Sequence, residues 1–521
     1  MLQIRGIRLT IDEDRDVLRA KVAKLLKRRD FRLEIERESL DARKRGSHHE
    51  LYFQYTLNVH LDNPAAERRL AAAEGVTYLE NRSFSLVPGS ERLPQGERPL
   101  IAGFGPAGIF AAYLLAREGY RPLVFERGAA VDERRTLVEG FWDGTLPLDP
   151  ETNVQFGEGG AGTFSDGKLT SRSKDTLAKM VLEIFVNHGA PEEILYSHQP
   201  HIGTDLLGDV IVSMREQIKA WGGEVHFRTP VTSIELDRSG HLAEVVTPAG
   251  RYRGPLLLAI GHSARDSFRM LVDKGVKAEA KAFAVGFRIE HPQTLIDQLQ
   301  YGEYAGHPRL GAAPYQVHSP LLPGGRNAYS FCMCPGGQVI GAASEAERLV
   351  TNGMSYHARD GELANSAILS SVLPGRDYGP ELMDGLHYQE QLESAAWALG
   401  GRNMHAPVQH VQDFLQDFDL KAATPARTEL RLEPSYRPGW RDAKLAGLLS
   451  PALGQTIAEG LLEIDRRLPG FAGPQAILTG VESRSSSPLR FSRDRESRES
   501  ENVAGLYPIG EGAGYAGGIV S

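Results

Sequence analysis

Cysteine is nearly missing from this chain: its 521 residues hold two, Cys332 and Cys334. That excludes a disulfide framework and a structural zinc site of the four-cysteine kind. Long apolar runs are missing as well. The longest, IAGFGPAGIFAAYLLA from Ile101, is broken by Pro106 and several glycines and falls short of a bilayer span. Nor is there an excess of positive charge. A net charge of -8 and a pI near 6.1 argue against a surface built for nucleic-acid phosphates. The first residues, MLQIRGIRLTIDEDRD, carry early acids and no apolar centre, so they do not read as a secretory signal. The expectation is a cytoplasmic protein with no membrane and no nucleic-acid partner.

What is present describes a globular chain of two or three domains: 41% hydrophobic residues, 24% charged, 56 glycines and 30 prolines. Residues 1–87 alternate in type. LQIRGIRLTI reads as a strand, DEDRDVLRAKVAKLLKRR as an amphipathic helix, DFRLEIERESLDAR and ELYFQYTLNVHL as strands, NPAAERRLAAAEG as a helix and VTYLE as a strand. That βαββαβ order predicts a small ferredoxin-like domain. A Pro-, Gly- and charge-rich linker follows at 88–99. Strand and glycine-turn patterns at 100–285 and again at 476–521 predict one nucleotide domain in two pieces. Residues 286–475, which lack any nucleotide fingerprint, read as an inserted α+β substrate domain.

The strongest motif is Gly103-Phe-Gly105-Pro106-Ala107-Gly108, a G-x-G-x-x-G with an apolar strand before it, an apolar helix after it and Glu126 23 positions past Gly103. Gly103 permits the tight turn, Gly105 lets backbone approach a diphosphate, and Gly108 lets helix and strand pack closely. The start of the helix offers free N–H groups and a positive dipole end to phosphate. Glu126 is placed to accept hydrogen bonds from an adenosine ribose, and an acid there disfavours a 2′-phosphate.

A second loop imitates a different phosphate site. GTFSDGKL, residues 162–169, comes within one residue of G-x-x-x-x-G-K-[ST]. Leu169 replaces the hydroxyl that would bind magnesium, and no apolar strand precedes the loop, which counts against a nucleotide triphosphatase. The alternative is a loop that curls past a dinucleotide, with Gly160, Gly162 and Thr163 presenting backbone N–H groups.

The C-terminal LYPIGEGAGYAGGIVS, with Gly510 and Glu511 after an apolar strand, resembles the strand-Gly-Asp segment by which two-domain flavoproteins hold the ribityl chain and flavin phosphate, although Glu511 stands where those proteins have Asp. LLLAIGHSARD resembles their other strand and turn, at Ala259 and Gly261. SLDARKR, NVQFGEGGAGTFSDGKL, HIGTDLL, AIGHSARD, FRIEHPQ, FCMCPGG and GVESRSSSPLR are similar, in order, to blocks of the FAD-dependent dehydrogenase family of bacterial flavoproteins, within the glutathione-reductase-like superfamily. The resemblance spans essentially the whole chain. It implies an α/β fold with a Rossmann-like, two-dinucleotide-binding FAD domain, and FAD as cofactor with NAD(P)H as a candidate transient donor. The implied cofactor-binding set is Gly103, Gly105, Pro106, Ala107, Gly108, Glu126, Arg127, Gly160, Gly162, Thr163, Val231, Ala259, Gly261, Gly510, Glu511 and Ile519. It also leads to the expectation of a closing helix beyond Ser521, where this sequence stops.

Candidates for chemistry are fewer. Lys168 lies either near the flavin N1–C2 edge, where a cation favours reduced flavin, or on the solvated surface. Cys332 and Cys334, at i and i+2, are expected to share one face of a strand, either as small buried residues or as a redox pair. His201 and His262 are candidate proton donors or substrate hydrogen-bond partners, or structural residues. Arg484 and Arg490 flank a hydroxyl-rich turn and could clamp an anion or face solvent. No metal-ligand spacing is seen, and DARKRGSHH reads as a basic solvated turn or a docking loop. The leading expectation is an FAD-dependent oxidoreductase acting on a small molecule. A flavin monooxygenase using NAD(P)H and oxygen, or an FAD-binding recruitment or RNA-handling protein acting through residues 1–87, are the alternatives.

Overall fold

Strand and helix follow each other closely from the first residue, and the computed structural model describes them over residues 1–45, 48–73, 75–80, 93, 96–170, 177–423 and 431–520. Most of the 88–99 linker, part of the DARKRGSHH loop and Ser521 lie outside the described residues. Near the N-terminus, strands Leu2–Thr10, Arg32–Asp41, Tyr52–His60 and Val76–Tyr78 form one antiparallel sheet. The second and third strands, then the first, then the fourth follow in space. Leu18, Val22 and Leu26 of the helix Val17–Leu26 pack on Tyr55, Leu57 and Val59 of this sheet. Backbone hydrogen bonds from Glu38 to Tyr196 and from His198 back to Glu38 fasten this unit to the rest of the molecule.

The second unit is a five-stranded parallel sheet in the spatial order Leu506–Pro508, Leu256–Leu258, Leu100–Ala102, Leu123–Phe125, Glu224–His226. These strands are three residues long and most are apolar throughout, because both faces are covered. Ile101 and Val124 face the helices Pro106–Arg117 and Thr204–Ala220, whereas Leu100, Ala102, Leu123, Phe125 and Leu258 face a separate apolar cluster that includes Phe268 and Phe491. The crossover helix Pro106–Arg117 thus starts at the carboxyl end of the central strand, where open parallel sheets place their ligands.

The third unit is a six-stranded sheet in the order Tyr329–Cys334, Leu363–Val372, Phe283–Pro292, Ile477–Glu482, Ala406–His410, Trp440–Asp442. Its largest core cluster includes Phe287, Ile289, Phe414, Leu453, Ile457 and Leu461. The domain boundaries expected at 285/286 and 475/476 need correction. Phe283–Pro292 crosses the first, and Ile477–Glu482 pairs antiparallel with it, Gly286 opposite Glu482 and Arg288 opposite Thr479. The AILTGVE run is buried on both faces in either sheet, so its apolar pattern does not tell which sheet it enters. Among the described residues no helix is long and apolar enough to cross a membrane.

Candidate functional site

Three glycine turns, far apart in sequence, meet at the carboxyl ends of the parallel strands. Gly103 has a φ of 95°, and a β-carbon there would sit 2.4 Å from the carbonyl oxygen of Ala259. A β-carbon on Gly108 would come within 2.0 Å of the Gly103 carbonyl, so Gly108 serves helix packing. Gly105 differs: a β-carbon there would meet only Gly160, at 3.6 Å, and would project into open space. That space is a cavity of about 390 Å³.

Gly103, Gly105, Pro106 and Ala107 line this cavity, as do Glu126 and Arg127, Gly160 and Gly162, Val231, Ala259 and Gly261, and Gly510, Glu511 and Ile519. Gly108 and Thr163 do not; each is buried behind the lining. The cradle fits a dinucleotide on this structure's own geometry. The start of the helix Pro106–Arg117, side-chain-free glycine walls and a buried carboxylate converge on one hollow.

Glu126 does more than the sequence suggests. Its carboxylate accepts hydrogen bonds from the backbone N–H groups of Phe104 (2.7 Å), Gly128 (2.9 Å) and Gly157 (2.9 Å), so it holds three turns in register. Arg127 pairs with Glu151 at 3.0 Å and Asp266 at 2.6 Å.

Sequence reasoning missed Arg134. Its fully buried guanidinium donates to the carbonyls of Asn153 (2.9 Å), Glu158 (2.6 Å), Val154 (3.0 Å) and Gly160 (2.9 Å), and so shapes the glycine loop from inside. Its setting in VDERRTLVEG is that of any charged helix residue, and no local signal marks it.

The GTFSDGKL loop lines the same cavity through Gly162, Ser165, Asp166 and Lys168. Asp166 is buried there and accepts hydrogen bonds from Arg359 and Ser355, while Lys168 Nζ stands 3.2 Å from its Oδ2. Burial alone would raise the Asp166 carboxyl, but the Lys168 and Arg359 cations outweigh it and hold it below the usual range. Lys168 lines the cavity. Burial opposes its charge, yet the negative charge available on Cys334 and Cys332 and on the Asp166 carboxylate keeps its ammonium above the ordinary range.

The other candidates part company. His262 lines the cavity, with Nδ1 3.7 Å from Glu511 Oε2. Burial, then Arg484 and Arg265, pull it down to about 4, which favours the neutral imidazole over a charged proton donor. Burial pushes the Glu511 carboxyl up to about 7. His201 is not part of the lining; its Nε2 lies 3.0 Å from the His357 carbonyl, and the two rings stack. Arg484 borders the cavity, but its guanidinium is held by Glu393 through Nε at 2.9 Å and Nη2 at 2.8 Å. Arg490 pairs with Glu279 at 3.2 Å. Arg484 is not free to clamp an anion, because the buried Glu393 carboxylate already neutralises it, whereas the Arg490 pair is largely exposed. Cys332 and Cys334 also depart from a regular strand: Cys332 has a φ of 46° and lines the cavity, and Cys334 is fully buried.

A family profile described as FAD-dependent protein, C-terminal domain-like, matches residues 282–485, and a domain of unknown function matches residues 1–60. Over 526 aligned residues the chain is 45% identical to an uncharacterized protein of Clostridium beijerinckii, spanning 100% of this chain and 96% of that one. A shorter stretch of 163 residues is 28% identical to the thiamine thiazole synthase of Pyrobaculum calidifontis, spanning 29% of this chain and 59% of the relative. Among solved structures, CtdE in complex with FAD is 8% identical, with 80% of this chain and 78% of that one covered and a TM-score of 0.29.

Proposed function

Because the chain belongs to the family of FAD-dependent proteins that share this C-terminal domain, we propose that it is an FAD-dependent oxidoreductase, and more narrowly a dehydrogenase passing electrons between a reduced donor and a small-molecule substrate. The observation that carries this reading is the convergence of the Gly103, Gly160 and Gly510 turns on one cavity. When bound, FAD supplies a two-electron acceptor and donor at its ring system.

The protein's own residues do the rest. Gly105 and the start of the helix Pro106–Arg117 bind the diphosphate with backbone N–H groups, and Glu126 accepts from the adenosine ribose. Arg134 and Glu158 fix the glycine loop that would border the bound cofactor. Lys168 holds a positive charge on the cavity wall, beside Cys332, which favours an anionic reduced ring. His262 borders the cavity as a neutral imidazole.

The test is an absorbance spectrum of the purified protein, followed by FAD titration and anaerobic addition of NADH and NADPH. A yellow protein, or one that takes up FAD stoichiometrically, is the expected result. A colourless protein that ignores added FAD would sink the reading. Bleaching by one nicotinamide assigns the donor, and bleaching only by another reductant points to direct oxidation of substrate.

A further inference from the structure

The strand Tyr329–Cys334 carries a bulge at its end. Against Leu363–Val372 its register runs from Phe331 opposite Ala367 to Cys334 opposite Asn365, so three steps on one chain meet two on the other. Cys332 stands in this stretch in a left-handed conformation, φ 46°, which costs a residue with a β-carbon about 1–2 kcal/mol. The geometry has a chemical result. On a regular strand, β-carbons at i and i+2 lie about 6.6 Å apart, beyond the roughly 3.5–4.5 Å a disulfide needs. The bulge gathers the chain and shortens that separation, and the Cys334 thiol turns back to donate to the Cys332 carbonyl at 3.4 Å.

Access to the cavity singles out one sulfur as nucleophile. Cys332 lines the cavity together with Lys168 and Glu482, and Cys334 lies behind it, out of contact with solvent. Lys168 Nζ and Arg288 Nη2 each stand 3.8 Å from Cys334 Sγ, and Arg288 also donates to the Cys332 carbonyl at 3.1 Å. The charged and titratable groups facing the pair are Lys168 and Asp166 from the GTFSDGKL loop, Arg288 and Glu482 from two strands, and Glu511 from the C-terminal turn. Interaction with Cys334, then the Lys168 and Arg288 cations, lower the Cys332 thiol against the opposing effect of burial. Interaction with Cys332 and burial raise Cys334. Cationic neighbours and partial access are the setting of reactive rather than inert cysteines.

We propose that Cys332 and Cys334 are a redox-active pair, Cys332 the thiolate facing the cavity and Cys334 the resolving thiol, which closes to a disulfide and exchanges one electron pair with flavin bound in that cavity. The exchange with flavin rests on the proposed function; disulfide formation does not. In the reducing direction, reduced flavin gives up a hydride equivalent. Its two electrons break the Sγ–Sγ bond, leaving a thiolate on Cys332, and its proton goes to Cys334 as the thiol. The flavin is left oxidised. The opposite direction runs the same step backwards.

The full-length protein is treated with diamide under native conditions, alkylated with iodoacetamide and examined by peptide mass spectrometry. The expected result is a peptide containing both cysteines that has lost two hydrogens, resists alkylation and recovers on adding dithiothreitol. In the untreated protein, alkylation near pH 6 should be at least tenfold faster at Cys332 than at Cys334. Full alkylation of both thiols after diamide, or cross-links only between chains, would overturn the pair. Cys332→Ser and Cys334→Ser should each abolish the mass loss; if either fails to fold, the wild-type measurement still decides. On the FAD-loaded protein, anaerobic dithionite titration after diamide should consume one electron pair beyond that taken by the flavin, and Cys334→Ser should not. Disulfide formation in a protein that never takes up FAD removes the flavin exchange and the proposed function while leaving the thiol pair; FAD uptake with no extra electron pair overturns the exchange alone.

Discussion

Glu126 shows how much one buried carboxylate can carry. Three backbone N–H groups from three turns depend on it, and each loses its partner if the side chain is cut back. Glu126→Ala should lower stability by about 1–3 kcal/mol per orphaned donor that finds no water. It should also weaken FAD at least about tenfold, or ~1.4 kcal/mol; thermal unfolding and a fluorescence titration read the two effects separately. Glu482 makes a different prediction. Burial, partly offset by Arg288, pushes its carboxyl from 4.5 up to about 8. Between those values the folded protein keeps a proton that the unfolded chain has released, so this residue costs stability as pH rises through the window. Glu482→Gln keeps the shape and removes the titration. Its stability relative to wild type should therefore rise from pH 5 to pH 8, by a few kcal/mol at ~1.4 kcal/mol per unit. Parallel urea unfolding curves at the two pH values would contradict this.

Among the elements, the loop from Asn153 to Gly160 depends on Arg134, which donates to four of its carbonyls. Arg134→Ala leaves those carbonyls without their donor inside the protein. The expected result is a loss of about 3 kcal/mol or more in stability, faster proteolysis within residues 151–164 and poor FAD retention, since broken buried charge contacts cost that much. Normal proteolysis and FAD uptake would remove Arg134 from this role. The contrast with Gly103 explains what the sequence could reveal. A glycine turn between strand and helix is a local device, its reasons all within a few residues, so the cradle is legible as text. Arg134, the backbone donors of Glu126 and the bulge at Cys332 depend on chain that is distant in sequence. The same limit produced the misjudged arginine: Arg484 beside SSSP looks free until Glu393, 91 residues earlier, is seen to hold it. GTFSDGKL resembles a triphosphate loop because glycine, lysine and spacing are shared by many turns; the missing hydroxyl at Leu169 already argued against one, and the partners of its Asp166, Arg359 and Ser355, are distant in sequence.

Across the whole molecule, Glu393 joins the two larger units. It lies fully buried on the helix Asp384–Leu399, binds Arg265 at 2.7 and 2.9 Å and Arg484 at 2.8 and 2.9 Å, and accepts from Ser483 at 2.7 Å. Burial opposes its charge, but the two arginines outweigh that and hold its carboxyl far below 4.5. A depressed acid of this kind contributes stability above pH 4.5 and loses it as pH falls further. Glu393→Gln should cost about 3–5 kcal/mol at neutral pH, because it leaves two arginines buried with less charge to face. The measurement is the urea midpoint, and the deficit should shrink in acid. Alternation of strand and helix made the N-terminal unit readable, and glycine turns made the parallel sheet readable; which of the two larger sheets received AILTGVE depended on pairing that leaves no mark in composition. The arrangement of that parallel sheet also bears on how the protein is made. Leu256–Leu258 lies between Leu100–Ala102 and Leu506–Pro508, so the last strand of the sheet leaves the ribosome about 400 residues after the first. At ~5–20 residues per second the nascent cradle waits roughly 20–80 s for its missing wall, and a cell short of chaperones should lose this protein to aggregation during synthesis sooner than after it.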